Sequence, residues 1–411
     1  MLLGIGVHAQ GTLISEATIH IGNGELIENG YVGFNQDGVI DYLGSSAPLE
    51  NYAYNIVARG KHVYPGFIPP NTTLGLVEIS AVRASNDKSE VGAYNPNVRS
   101  IIAFNCESDI IPTVMDNGVL IGQITPRSGR ISGSSSIVSL DCWNWEDGAI
   151  RTDDGIHLNW PAPVYRTGWW AEPGVVKRND KYDSQIKELK DYLLKAKAYA
   201  AANSDLKDLR MDAMSGLFNG SRSLFIHSNS AAAMLDAMAI CKEAGVLKLV
   251  FVEAYEAHLI KDQLAEAKIP VLLRRLHELP MHPDDPMHLP YQLPAILSKA
   301  GVLVGLDMSG DMEQIQGRNL PFLAGTAAAY GVSEEEALKM ITSNTAKILG
   351  IDSWYGSLEK GKKATLFISD GNALEPTTNR VINAWSNGKK IDLEENIQKD
   401  LYKKYKAKYA N

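Results

Sequence analysis

Apolar and polar positions form short, well-punctuated runs along most of this chain, and the clearest succession lies between Val302 and Gly350. Val302-Leu303-Val304-Gly305-Leu306 is a continuous apolar run behind Ala300-Gly301, the pattern of a strand covered on both faces. Asp307-Met308-Ser309-Gly310 follows, so Asp307 stands where strand meets loop. After Asn319-Leu320-Pro321 an Ala-rich segment reaches Tyr330-Gly331, and Ser333-Glu334-Glu335-Glu336 then supplies the N-cap Ser and N3 Glu of a capping box. Ala337, Leu338 and Ile341 give that helix its apolar face. Thr342-Ser343-Asn344-Thr345-Ala346 caps a second helix, ended by Gly350. Tyr355-Gly356 opens a turn that leads to a strand through Leu366-Phe367-Ile368.

Elsewhere the pattern divides by position. The first 65 residues carry short β-rich runs separated by Gly and Asn, such as Ala17-Thr18-Ile19-His20-Ile21 and Tyr31-Val32-Gly33-Phe34, a meander signal. Val381 to Trp385 with the Asn387-Gly388 turn predicts a hairpin near the other end. Leu120 to Pro126 reads as a strand, and Arg127 to Ser136 as a solvated Gly/Ser loop whose two arginines suit an anionic group as the alternative. Trp143, Trp145, Trp160, Trp169 and Trp170 predict an aromatic subdomain packed over the mouth of the fold, or a pocket lining. Tyr182 to Ala202 is an amphipathic helix. Three strand-helix units follow: one strand ends in His227, the next in Glu253, the third in Arg274-Arg275 with His277 nearby. This alternation predicts a parallel α/β architecture. Met281 to His288 is a Pro-spaced solvated loop, and the Lys-, Glu- and Tyr-rich tail from 393 to 411 a solvated helix.

The segment Ala337-Leu338-Lys339-Met340-Ile341-Thr342-Ser343-Asn344-Thr345-Ala346, with Leu349-Gly350 and Gly356-Ser357-Leu358-Glu359-Lys360-Gly361-Lys362 after it, resembles the carboxyl-terminal third of the amidohydrolase superfamily, imidazolonepropionase-like proteins in particular. Lys363 and Thr365 depart from the family's usual Asp residues, outside any catalytic position. The resemblance implies a (β/α)8 TIM-like barrel over 66–355, with a small composite β-sandwich formed by both chain ends, 11–65 and 356–392. It also implies hydrolysis of a C–N bond, not a peptide bond, in a small amide or cyclic amide. A ligand-binding relative without catalysis is the alternative.

The family's first barrel strand usually reads PGLIDxHxHLG, its two His binding metal. Here Pro65-Gly66-Phe67-Ile68-Pro69-Pro70-Asn71-Thr72-Thr73-Leu74-Gly75 puts Asn71 and Thr73 in their places. His227 matches the fifth-strand His and Asp307 the last-strand Asp, while Glu253 stands where a sixth-strand His is usual and His258 lies further on. His227 and Asp307 are therefore the candidate catalytic residues and the leading candidate metal ligands, with Glu253 as a further candidate ligand. Asn71, Thr73, Glu253, His277 and Arg127 are candidate substrate contacts. Zinc catalysis normally uses three protein ligands plus water, so the expected cofactor is at most one divalent metal such as zinc, or none. Asn at 307 is expected to keep most hydrogen bonds and leave folding little changed.

Composition changes little in this picture. The 411 residues suffice for one large barrel with an appendage, and 45% hydrophobic with 21% charged is ordinary for a globular protein. A net charge of −8 gives no electrostatic reason to expect nucleic acid or an anionic membrane, so a small-molecule substrate is the expected partner. No apolar run reaches the roughly 18 residues of a spanning helix, so membrane insertion is not expected; oligomeric state is left open. Cys106, Cys142 and Cys241 have no metal or redox spacing and read as buried thiols. Leu2 to Gln10 has the shape of an export-signal remnant, implying a periplasmic protein; an ordinary strand in a cytoplasmic protein is the other reading.

Overall fold

The β-rich runs at the amino terminus become β1 (Thr12–His20), β2 (Leu26–Phe34), β3 (Ile40–Gly44), β4 (Tyr54–Val57) and β5 (His62–Pro65). The middle of the chain supplies β6 (Ile121–Ile124), β7 (Ile131–Ser139), β8 (Ala149–Asn159), β9 (Val164–Trp169), β10 (Glu172–Arg178), β11 (Ser223–Ser228), β12 (Leu249–Glu253), β13 (Val271–Leu273) and β14 (Val304–Leu306). β15 (Leu366–Ser369), β16 (Val381–Ser386) and β17 (Lys389–Lys390) close the series. This computed structural model describes residues 11–169, 171–202, 207–310, 312–394 and 396–410; the stretch 1–10, expected to be an export-signal remnant or a strand, and Trp170 lie outside the described residues.

Strands from both chain ends share one eight-stranded sheet, ordered β17-β16-β15-β5-β1-β2-β3 with β4 beside β1. β15 pairs antiparallel with β5, Leu366 opposite Pro65 and Ser369 opposite His62. In the β16–β17 turn Asn387 (φ 50°) and Gly388 (φ 81°) both adopt the left-handed conformation that a tight two-residue hairpin needs. His20, on β1, hydrogen-bonds His62 (2.9 Å) and Glu335 (2.5 Å), tying this sheet to the helix Glu334–Lys339. Ser333 caps that helix through the Glu336 N–H, whereas Thr342 spends its hydroxyl on the Leu338 carbonyl and does not cap the helix Ser343–Leu349.

A second, curled sheet runs β14-β13-β12-β11-β8-β7-β6. β8 and β11 to β14 are parallel, but β7 is antiparallel to both neighbours. The uniform parallel order expected is therefore interrupted. Arg127 to Ser136 is not one solvated loop: Ile131 to Ser139 is a fully buried strand. Polar Ser side chains survive there because they are hydrogen-bonded, Ser135 to Asp154 and Ser134 to the Pro96 carbonyl. Segment 66–72, expected as a first strand, runs beside β6 through the isolated bridges Phe67–Val119 and Thr72–Ile124. Pro65, Pro69 and Pro70 lack the N–H donors a regular ladder requires.

Period-two alternation assigns the faces. Leu224, Ile226, Phe251, Val271, Leu273, Val304 and Leu306 pack outward against helices such as Tyr182–Ala201 and Ala231–Ala244. Ile121, Phe225, Val250, Val252 and Leu272 point the other way, into a separate concave core. The tryptophans do not form a packed subdomain: Trp160 is buried, but Trp143 and Trp169 are 84% and 55% exposed, and β9–β10 is an exposed hairpin. Cys241 is buried, whereas Cys106 and Cys142 are only half-buried.

Phe367 joins the two bodies, meeting Tyr64 and Phe67 with ring centroids 5.4 and 5.0 Å away. Phe367→Ala should destabilise the protein by about 3–5 kcal/mol, measured as a lower midpoint in urea unfolding.

Candidate functional site

The alternation that buries Ile121, Phe225 and Leu272 places polar residues two positions on, at the carboxyl ends of the same strands. Gln123 follows Ile121, His227 follows Phe225, and Asp307 follows Gly305. His157 joins them, because its neighbours Ile156 and Leu158 face the helices. The site lines one end of the concave core.

Asp307 is fully buried. Its Oδ2 accepts from Asn71 Nδ2 (2.7 Å) and Ser309 Oγ (2.7 Å), and its Oδ1 from the Ser309 N–H (2.8 Å). Burial pushes its pKa up to about 7, against the opposing pull of these donors and of the Arg127 charge. Asn71 holds a left-handed backbone (φ 50°) and passes its remaining groups to Arg127, which donates to Asn71 Oδ1 (2.9 Å) and to the Asn71 carbonyl (2.7 Å). Arg127 is in turn gripped by both oxygens of Glu313, at 3.1 and 3.0 Å. The Asn71 N–H donates to Gln123 Oε1, and Gln123 Nε2 to Asp154 Oδ2 (2.7 Å). Asp154 is itself fully buried, and burial raises its pKa to about 6.

A second group lies across β8, β11 and β12. His157 Nδ1 and His227 Nε2 are 2.9 Å apart, and His157 stacks on Phe225 at 4.7 Å. Burial, then His227 and Arg127, hold His157 well below the usual imidazole range. His157 Nε2 and Thr73 Oγ1 are buried and have no hydrogen-bond partner. Glu253 ends β12 with φ 70°, and Ala254 continues with φ 47°. By alternation Glu253 belongs on the helix side with Phe251; the left-handed turn carries it to 3.9 Å from His227 Nδ1, an electrostatic rather than a hydrogen-bonded distance. Burial raises the Glu253 pKa, but His227, Arg274 and Asn229 together outweigh it and lower the value. Sparsely populated backbone of this kind clusters at working sites.

Of the sequence candidates, Asn71, Arg127 and Asp307 form one network, His227 and Glu253 another, and Thr73 is buried beside Asn71 in sequence. His277 stands apart, exposed and bonded to Thr326 on another helix at 2.7 Å. His157, Gln123, Asp154, Ser309 and Glu313 were not foreseen. A polar residue inside an apolar strand was the available signal for Gln123 and His157.

The donor set does not fit a divalent metal. His227 Nε2 meets His157, Asp307 accepts three hydrogen bonds from uncharged donors, and Asn71 and Thr73 are neutral where imidazoles would be needed. Among the described residues no three His, Cys, Asp or Glu side chains converge suitably.

Two outcomes follow. Protein equilibrated with zinc and then desalted should retain substoichiometric metal by elemental analysis. Asp307→Asn should cost roughly 1–3 kcal/mol, contrary to the sequence expectation. Either amide orientation sets one N–H against another, and Arg127 prevents Asn71 from turning over. Because burial raises the Asp307 pKa, its stabilising contribution is complete below the unfolded value near 3.8 and is lost as pH rises through about 7. The stability gap between wild type and Asp307→Asn in urea should thus be larger at pH 5 than at pH 8.

Comparison with known proteins bears on the fold. Residues 197–393 match the family model described as Amidohydrolase family. No curated protein sequence is matched. Among solved structures, an amidohydrolase from Thermotoga maritima MSB8 superposes with TM-score 0.79 at 23% identity, covering 93% of this chain and 99% of that one. A prolidase complexed with n-methylphosphonate-l-proline gives 0.57 at 15% identity (93% and 99% covered), and an adenosine deaminase from Xanthomonas campestris with bound Zn gives 0.54 at 14% (95% and 94%). These likenesses establish a shared fold across the chain, and residues 197–393 carry the match to the amidohydrolase family.

Proposed function

We propose that the protein hydrolyses a C–N bond, not a peptide bond, in a small amide or cyclic amide, at a metal-poor site centred on Asp307. The observation that carries this reading is the placement, at the strand ends, of a buried carboxylate with a pKa near 7 and the buried His157 imidazole, held well below the usual imidazole range, with the Arg127 guanidinium acting on both. Groups poised near neutrality suit proton transfer. In this reading the curled sheet and segment 66–72 form a TIM-like barrel, the end sheet curls into a composite sandwich, and the 1–10 stretch favours export to a periplasm. The imidazolonepropionase-like motif after Asp307 favours a cyclic amide.

Asp307 takes a proton from water, the water oxygen adds to the carbonyl carbon, and the same carboxyl returns the proton to nitrogen as the C–N bond breaks. Arg127 offsets the negative charge that develops on the carbonyl oxygen. His227, steadied by Glu253 and His157, orients the substrate, and Thr73 Oγ1 and His157 Nε2 offer unused polar contacts.

One observation favours the rival reading of a ligand-binding relative without catalysis: Asn71 and Ser309 already occupy both Asp307 oxygens. A panel of small amides, lactams and cyclic imides distinguishes the two. Turnover should appear, rise with pH through about 7 as Asp307 loses its proton, and fall by roughly 10²-fold or more in Asp307→Asn. Thermal stabilisation by panel members without turnover would establish the binder instead.

A further inference from the structure

The carboxyl-terminal helix Ile397–Tyr409 contributes no buried residue to the fold. Successive helical positions turn by about 100°, so residues four apart form a slowly drifting stripe. Ile397, Leu401, Tyr405 and Tyr409 make such a stripe, with Tyr402 at its edge, and these side chains are 44% to 73% exposed. Lys399 and Lys403 occupy the opposite side; Lys399 (2.8 Å) and Asn396 (2.6 Å) tie the helix to the body by donating to Asp116, and Lys403 donates to Glu394 just ahead of the helix (2.9 Å). This inverts the usual arrangement, in which a surface helix turns its apolar stripe inward.

Charge narrows what can cover the stripe. The helix holds five lysines, 399, 403, 404, 406 and 408, against the single Asp400, a net +4 on a chain whose total is −8. Lys404, Lys406 and Lys408 have no carboxylate partner among the described residues and lie over Tyr405, Tyr402 and Tyr409 at 5.9, 5.6 and 5.6 Å. They border the stripe, so a second copy of the same helix would set lysine against lysine. Three of the five stripe members are tyrosines, whose rings are apolar and whose hydroxyls seek water; a groove on another protein would call for aliphatic anchors. Tyrosine and lysine beside a short apolar stripe fit a boundary between hydrocarbon and anionic headgroups.

We propose that this helix seats the protein on the surface of an anionic membrane, apolar stripe down and lysines among the headgroups, with the folded body above. No described helix is long and apolar enough to cross a bilayer, so the contact is peripheral.

Flotation of the full chain with vesicles tests this. Wild type should float with equimolar phosphatidylcholine and phosphatidylglycerol, stay behind with phosphatidylcholine alone, and be released by added salt. Leu401→Asp with Tyr405→Asp should abolish flotation at unchanged Tm, since neither residue is buried. Lys404→Glu with Lys408→Glu should weaken binding about thirty-fold or more, at about 1 kcal/mol per lysine. Failure of wild type to float with the anionic vesicles, which would leave the stripe to an acidic protein partner, overturns the proposal. So does flotation that survives the Leu401 and Tyr405 changes.

Discussion

One side-chain amide, that of Asn71, holds the two ends of the curled sheet in register. Its N–H₂ meets Asp307 after β14, its oxygen meets Arg127 after β6, and its backbone N–H meets Gln123 within β6. A histidine at this position presents an imidazole to a metal; an amide presents a donor and an acceptor at once, and here both are used. The left-handed backbone at Asn71 is tolerated by Asn far better than by branched residues, so the same residue type satisfies the turn and the network.

The network has a cost that its own geometry offsets. Burying an ionised carboxylate is expensive unless it is paired and hydrogen-bonded, and Asp307 receives three donors but no direct ion pair. Arg127 acts one residue removed, its own charge met by Glu313. Asp307 therefore sits between charged and neutral at ordinary pH, while His157 is held neutral by the same lack of solvent. Removing the Arg127–Glu313 pair would leave Asn71 free to turn over and Asp307 without its electrostatic counterweight.

Much of this was readable from local pattern, and the unread part has a common cause. The strand before Asp307, the Ser333 cap and the Asn387-Gly388 hairpin each announce themselves within a few residues, because strand burial, capping and turn chemistry are local. β7 did not, since Ser134, Ser135 and Ser136 look like loop until Asp154 and the Pro96 carbonyl are known to wait for them. Asp307 and His227 were singled out by their places after apolar runs and by the family resemblance. His157 and Glu313 were missed because what marks them is a partner distant in sequence, His227 for one and Arg127 for the other. The tryptophan cluster misled for the opposite reason: close spacing was taken for packing, whereas Trp169 lies on the exposed β9–β10 hairpin.

The pairing of β5 with β15 also sets an order of events. Lys61 bonds Asp370 across a sequence separation of 309 residues, so the first five strands leave the ribosome long before the strand that completes their sheet. Until then β5 presents an open edge in an unfinished sheet, the kind of surface that invites wrong partners. Contacts this distant in sequence slow the search for the native state. The chain therefore spends most of its synthesis with its first-made element incomplete, and it depends on a late segment, outside the curled sheet altogether, to bring folding to an end.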